Sequence, residues 1–203
     1  MVSFDEQAIL DNGAYIYNQR AEIERIADEI CEKGFDSIFF TSSGGSLAMM
    51  QPFDYMVSVM SDIPVQSQVS ADFLTVGNRR IGKGTLAFMA SKSGDTKETV
   101  AAAKAAKDAG CTIVSTLGVD GSPLGELSDY GVIYKQGRPM ELVLYLLIGK
   151  ILKNRGFFDD YDRFADELVN LPAALVSVGK NADEMARAYA LTVSYTHLRA
   201  HET

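Results

Sequence analysis

Twice in this chain a short, unbroken apolar run ends in a cluster of small hydroxylated residues and then passes directly into a helical pattern. The first run, SIFFT from Ser37 to Thr41, leads through SSGGS (Ser42 to Ser46) into the stretch Leu47 to Met60. The second, TLAFMA from Thr85 to Ala90, leads through SKSGDT (Ser91 to Thr96) into Lys97 to Ala109. A strand with no polar alternation is buried on both faces, which requires helices above and below it and points to a parallel sheet. Val65 to Val69, Cys111 to Thr116 and Gly131 to Tyr134 supply three more strands, with one helical turn at Pro123 to Leu127. The expected fold is α/β, a five-stranded parallel flavodoxin-like sheet in the order 2-1-3-4-5 with helices on both faces.

Helical segments flank this sheet. Ile16, Ile23, Ile26, Ala27 and Ile30 recur at three- and four-residue steps, which predicts one helix from Asp5 to Lys33, stopped by Gly34. After Met140 the pattern predicts helices at Glu141 to Asn154, Asp160 to Leu171 and Ala182 to Thr192. The chain divides into an N-terminal helical segment (1–34), a sheet domain (35–155), a helical connector (156–193) and a tail (194–203). The tail breaks the preceding pattern and holds both histidines, His197 and His201; it reads as translated adapter sequence and is left out of the fold. The two histidines have metal-binding spacing but no third ligand nearby, so no metal site is expected.

Charge and composition exclude several classes. Nineteen basic against 27 acidic side chains leave a net charge of −8, which argues against a nucleic-acid partner. No run of about 18 apolar residues is present, so no membrane span is expected. The N-terminus shows no basic-then-apolar leader, and Cys31 and Cys111 both sit in apolar periodic segments. Two reduced core thiols and a cytoplasmic protein are the expectation.

In an open parallel sheet, ligands bind beyond the carboxyl ends of the strands where strand order reverses. In the expected order strands 1 and 3 flank that crevice, and the two hydroxylated turns leave those strands. Each turn opens a helix, whose amides and dipole favour an anion. Gly44, Gly45 and Gly94 allow close backbone approach, while Ser43, Ser46, Ser91, Ser93 and Thr96 add hydroxyl donors. Together they describe a phosphate cradle; the competing reading is that the Ser and Thr residues cap the two helices. Neither the dinucleotide fingerprint nor the P-loop motif occurs.

At these residues the sequence resembles the SIS (sugar isomerase) domain family. SKSGDTKET (Ser91 to Thr99) is similar to that family's S-x-S-G-x-T-x-E-T motif. SGGS (Ser43 to Ser46) falls at its first turn, and STLGVDGSPL (Ser115 to Leu124), with Glu126 and Asp129, is like its loop beyond the fourth strand. The resemblance covers about residues 35 to 155. Within the family it is closest to deglycases of phosphorylated Amadori compounds, relatives of the isomerase half of glucosamine-6-phosphate synthase. It implies that Ser43, Ser46, Ser91, Ser93 and Thr96 bind a substrate phosphate, with Gly45 and Lys92 lining the site. Lys92 stands where the aminotransferase relatives carry Gln. Glu141 matches a position where relatives place a carboxylate near the sugar, which makes it the candidate catalytic residue. Asp95 and Glu98 read as helix-dipole partners.

The implied ligand is a hexose 6-phosphate or its amine adduct, with no cofactor and a homodimeric assembly. In double-SIS enzymes a second module carries the catalytic Glu and ring-opening His, and this chain has no His before His197. The expectation is therefore the phosphosugar-binding N-terminal half of a double-SIS deglycase or isomerase, with little turnover by itself. The alternatives are a phosphosugar-sensing regulatory module and a single-SIS isomerase completed across a homodimer.

Overall fold

β1 (Ser37–Ser42), β2 (Val65–Val69), β3 (Thr85–Ser91), β4 (Thr112–Leu117) and β5 (Tyr130–Ile133) form one sheet in the order β2-β1-β3-β4-β5. Every pairing is parallel, as expected, with Phe40 beside Phe88 and Met89 beside Ser115. The computed structural model describes residues 5–134 and 140–192, with side chains to 189. His197 and His201 and the rest of the 194–203 tail lie outside the described residues.

Two apolar layers explain the unbroken strands. On one face Ile38, Phe40, Leu86, Phe88 and Val114 pack beneath α2 (Arg20–Lys33), α3 (Gly45–Met60) and α7 (Met140–Asn154). On the other, Phe39, Ala87, Met89 and Ile113 meet α4 (Ser70–Val76), α5 (Lys97–Asp108) and α6 (Pro123–Leu127). Each fully buried Phe contributes about 1.5–3 kcal/mol of hydrophobic stabilisation. α7 is apolar nearly all round because α2, α3, α8 (Tyr161–Glu167) and α1 (Glu6–Tyr17) enclose it.

Three expectations need correction. The predicted helix from Asp5 to Lys33 is two helices, α1 and α2. At the break the Gln19 side-chain amide donates to the carbonyls of Tyr15 and Ile133, tying the bend to the end of β5. The bend lets α1 pack on the last helix while α2 packs on α7. The hydrophobic period runs through this break, so nothing in the pattern marks it. The helix expected at Asp160 to Leu171 ends at Glu167, followed by a 3-10 turn at Leu168–Asn170. The last helix, α9, then starts at Leu171 and reaches Thr192, eleven residues earlier than expected. Gly13 of α1 makes that packing possible, because a Cβ there would run into the Pro172 ring.

Both cysteines are free thiols. Cys111 is buried, and burial pushes its pKa up to about 11. Cys31 is only half-buried, against the core instead of in it, because it faces the exposed side of the α2–α7 seam beside the Ile151 carbonyl.

Candidate functional site

β1 and β3 end side by side, and their C-terminal turns are physically joined. The Ser42 hydroxyl donates to the Ala90 carbonyl, and Thr99 on α5 donates to the Ser43 hydroxyl at 3.4 Å. The two turns therefore belong to one surface, the geometry that adjacent strands at the switch point dictate.

The helices that follow are not capped by side chains. α3 has Gly44 at its N-cap position, with φ of 54°, and α5 has Thr96; neither makes a side-chain cap hydrogen bond. The first amides of a helix have no intrahelical partner, so those of Gly45 and Ser46 on α3 and of Lys97 and Glu98 on α5 stay open. The hydroxyls that would have capped them are engaged elsewhere. Ser91 accepts the Gly94 amide at 2.9 Å and lies 3.1 Å from the Thr96 hydroxyl. The capping alternative thus fails at both turns, and two helix N-termini present donors and positive dipole ends at the same rim.

At the head of α3 lies an open cavity of about 380 Å³, lined by Ser43, Gly45, Ser46, Met49, Lys92, Tyr134 and Met140. Of the expected site residues, Ser43, Gly45, Ser46 and Lys92 line it directly. Ser91 is buried beneath the second turn, where it shapes the turn; Ser93 is exposed on that turn and Thr96 half-buried at the head of α5. Lys92 is exposed at the cavity wall, and no carboxylate pairs with it among the described residues.

Three lining residues were missed from the sequence. Met49 lies one helical turn after Ser46 and so shares its face of α3, a spacing that could have revealed it. Tyr134 follows the end of β5, and Met140 opens α7; only the tertiary fold brings them here. Burial raises the Tyr134 phenol above its usual range, and the charge of Glu141 pushes the same way, so the phenol is a hydrogen-bond donor at neutral pH. Glu141 follows Met140 in the first turn of α7 and is not among the cavity's lining residues.

The loop after β4 clasps the second turn. Gly118 donates its amide to the Ser91 carbonyl at 3.2 Å, and Leu124 donates to the Gly94 carbonyl at 2.9 Å. The Ser122 side chain abuts Gly94 so closely that no Cβ fits there. No cluster of metal-ligating side chains occurs among the described residues.

A family model described as SIS domain matches residues 33–148. The isomerizing glutamine–fructose-6-phosphate aminotransferase of Thermotoga maritima is 31% identical over 158 residues, 72% of this chain and 26% of that protein. The fructosamine deglycase FrlB of Bacillus subtilis is 27% identical over 179 residues, 83% of this chain and 55% of that protein. A candidate phosphosugar isomerase from Salmonella typhimurium LT2 superimposes with a TM-score of 0.77 at 23% identity, covering 84% of this chain and 54% of its own. The chain thus spans about half the length of that isomerase and of the deglycase, and about a quarter of the aminotransferase.

Proposed function

This chain belongs to the SIS domain family, and on that premise we propose that it binds the phosphate of a hexose 6-phosphate, or of its amine adduct, in the cavity at the head of α3 beside the second turn. The observation that carries this reading is a cavity lined by the uncapped start of α3 and by the cation of Lys92, beside a second uncapped helix start that the Thr99–Ser43 hydrogen bond joins to the first turn. Gly45 and Ser46 donate from α3; Ser93, Thr96 and the first amides of α5 donate from the other side. Ser91 holds the second turn in shape, and Lys92 neutralises part of the dianion. Met49, Met140 and Tyr134 face the carbon skeleton of the sugar.

The parent reaction is an aldose–ketose-type proton transfer, with loss of an amine from C1 if the substrate is an Amadori product. Grip on the phosphate is remote binding energy that holds the reacting carbons in place. Glu141, next to the lining residue Met140, serves as the candidate base or sugar ligand. Residues 1–193 contain no histidine, so the usual proton shuttle at neutral pH comes from outside them. The role of this module is therefore substrate capture within a double-SIS deglycase or isomerase, in the cytoplasm.

The Ser93→Ala/Thr96→Val double variant tests the assignment. Calorimetric titration with fructose 6-phosphate is expected to show a Kd raised at least about tenfold, ~1.4 kcal/mol, in a variant that still unfolds cooperatively. Unchanged affinity in the folded variant places the phosphate elsewhere.

A further inference from the structure

Among the described residues three tyrosines are buried, Tyr130, Tyr134 and Tyr161, and two of them have a partner for the hydroxyl. The Tyr161 hydroxyl lies within hydrogen-bond distance of Glu24 and the Leu146 carbonyl. The Lys33 ammonium donates to the Tyr130 hydroxyl at 2.6 Å. Tyr134 differs. It is 5% exposed and lines the cavity, yet its phenol meets no hydrogen-bonding group among the described residues. Buried tyrosine hydroxyls ordinarily find a partner, because an unpaired polar group away from bulk water is costly. Burial also keeps this phenol protonated at neutral pH, so it has a proton to donate.

The backbone sets where Tyr134 stands. Its amide donates to the Leu117 carbonyl at 2.8 Å, which carries the β4–β5 ladder one residue past the end of β5. Side chains alternate along a strand, so Tyr134 shares the face of Val132, and both belong to the core layer beneath α7. The ring is anchored in that layer, and Tyr134 reaches the cavity from the β5 side. Met140, which opens α7 there, is apolar, so the phenol is the strong hydrogen-bonding group that the described lining residues offer on that side.

That side is remote from the phosphate. In the order β2-β1-β3-β4-β5, β5 is three strands from β1 and two from β3. At about 4.8 Å per strand, the end of β5 is roughly 14 Å from the end of β1 and roughly 10 Å from that of β3. One phosphate does not bridge such a gap, whereas the carbon chain of a hexose 6-phosphate helps to. A phosphate gripped at the head of α3 therefore leaves the phenol to the opposite end of the ligand.

We propose that Tyr134 is a specificity-determining residue of this cavity, its hydroxyl donating to an oxygen at the carbonyl end of a phosphosugar whose phosphate is held at the head of α3. The inference rests on the phosphate assignment above and extends it from a phosphate site to one that reads the length of the sugar. A six-carbon phosphosugar satisfies the phenol; a three-carbon phosphate leaves it unpaired. A site with a buried donor discriminates against ligands that leave that donor without an acceptor.

Calorimetry on the 203-residue chain with inorganic phosphate, glycerol 3-phosphate and fructose 6-phosphate tests it. The wild type is expected to bind fructose 6-phosphate at least about tenfold more tightly than glycerol 3-phosphate. Tyr134→Phe keeps the ring and removes the donor, so it raises the Kd for fructose 6-phosphate about tenfold and leaves the other two unchanged. In the wild type, the carbon-13 resonance of Tyr134 Cζ shifts with fructose 6-phosphate and stays in place with glycerol 3-phosphate. An unchanged fructose 6-phosphate Kd in Tyr134→Phe, an equal loss for glycerol 3-phosphate, or a Cζ resonance indifferent to fructose 6-phosphate overturns the role of Tyr134 and leaves the phosphate site standing. Failure of the wild type to bind any of the three refutes the phosphate site itself, and this inference with it.

Discussion

Gly94→Val is expected to lower affinity for fructose 6-phosphate by at least about a hundredfold, ~2.7 kcal/mol, and to lower fold stability by about 1–3 kcal/mol. Gly94 has φ of 74°, a region that a β-branched residue adopts only under strain. A side chain there also runs into Cβ and Oγ of Ser122, and rotating the hydroxyl away does not clear the Cβ. The damage spreads because Gly94 is bonded in both directions. Its amide donates to Ser91 and its carbonyl accepts from Leu124. Shifting it moves the turn that carries Lys92, Ser93 and Thr96, and it loosens the loop after β4. Calorimetry and thermal unfolding read the two effects separately. Near-native affinity in the folded variant means that the second turn does not hold the phosphate.

Leu147→Ala is expected to lower unfolding free energy by about 2–5 kcal/mol, the range for large-to-small changes in a packed core. Leu147 has 0% exposure and lies mid-way along α7, the helix that α2, α3 and α8 surround. Neighbours fixed on several sides cannot collapse into the space left behind, which places the loss in the upper part of that range. α7 also begins at Met140 on the cavity wall, so its packing joins core stability to the site. Urea unfolding monitored by circular dichroism gives the value, with the denaturant slope held constant. A loss below about 1 kcal/mol contradicts the description of α7 as the central core helix.

Sheet and cavity rim were legible from sequence for the same reason. Strands such as SIFFT and TLAFMA are buried on both faces, so their composition reports parallel pairing, and the expected order is that of the common flavodoxin-like doubly wound sheet. The small-residue turns leave neighbouring strands, and Ser43, Gly45, Ser46 and Lys92 line one cavity, while Ser91, Ser93 and Thr96 are not among its lining residues. What stayed hidden depends on tertiary contact. The α1–α2 break follows from Gln19 reaching Ile133, 114 residues away. α4 buries only Ser70 and Phe73, too little to leave a periodic trace. Tyr161 is fully buried, its hydroxyl 3.0 Å from both Glu24 Oε1 and the Leu146 carbonyl, although Asp159, Asp160 and Asp162 around it read as a solvated helix start. Tyr134 reaches the cavity only because β5 lies where it does in the sheet.

The account depends on a single dianion being held from two helix ends at once. Nitrogen-15 chemical-shift mapping during titration with fructose 6-phosphate, with fructose as the control, tests this most directly. The account predicts saturable shifts in the amides of Gly45 and Ser46 together with those of Ser93, Thr96 and Lys97, and none of them with fructose. Shifts confined to one of the two turns, or equal shifts with the unphosphorylated sugar, would contradict it.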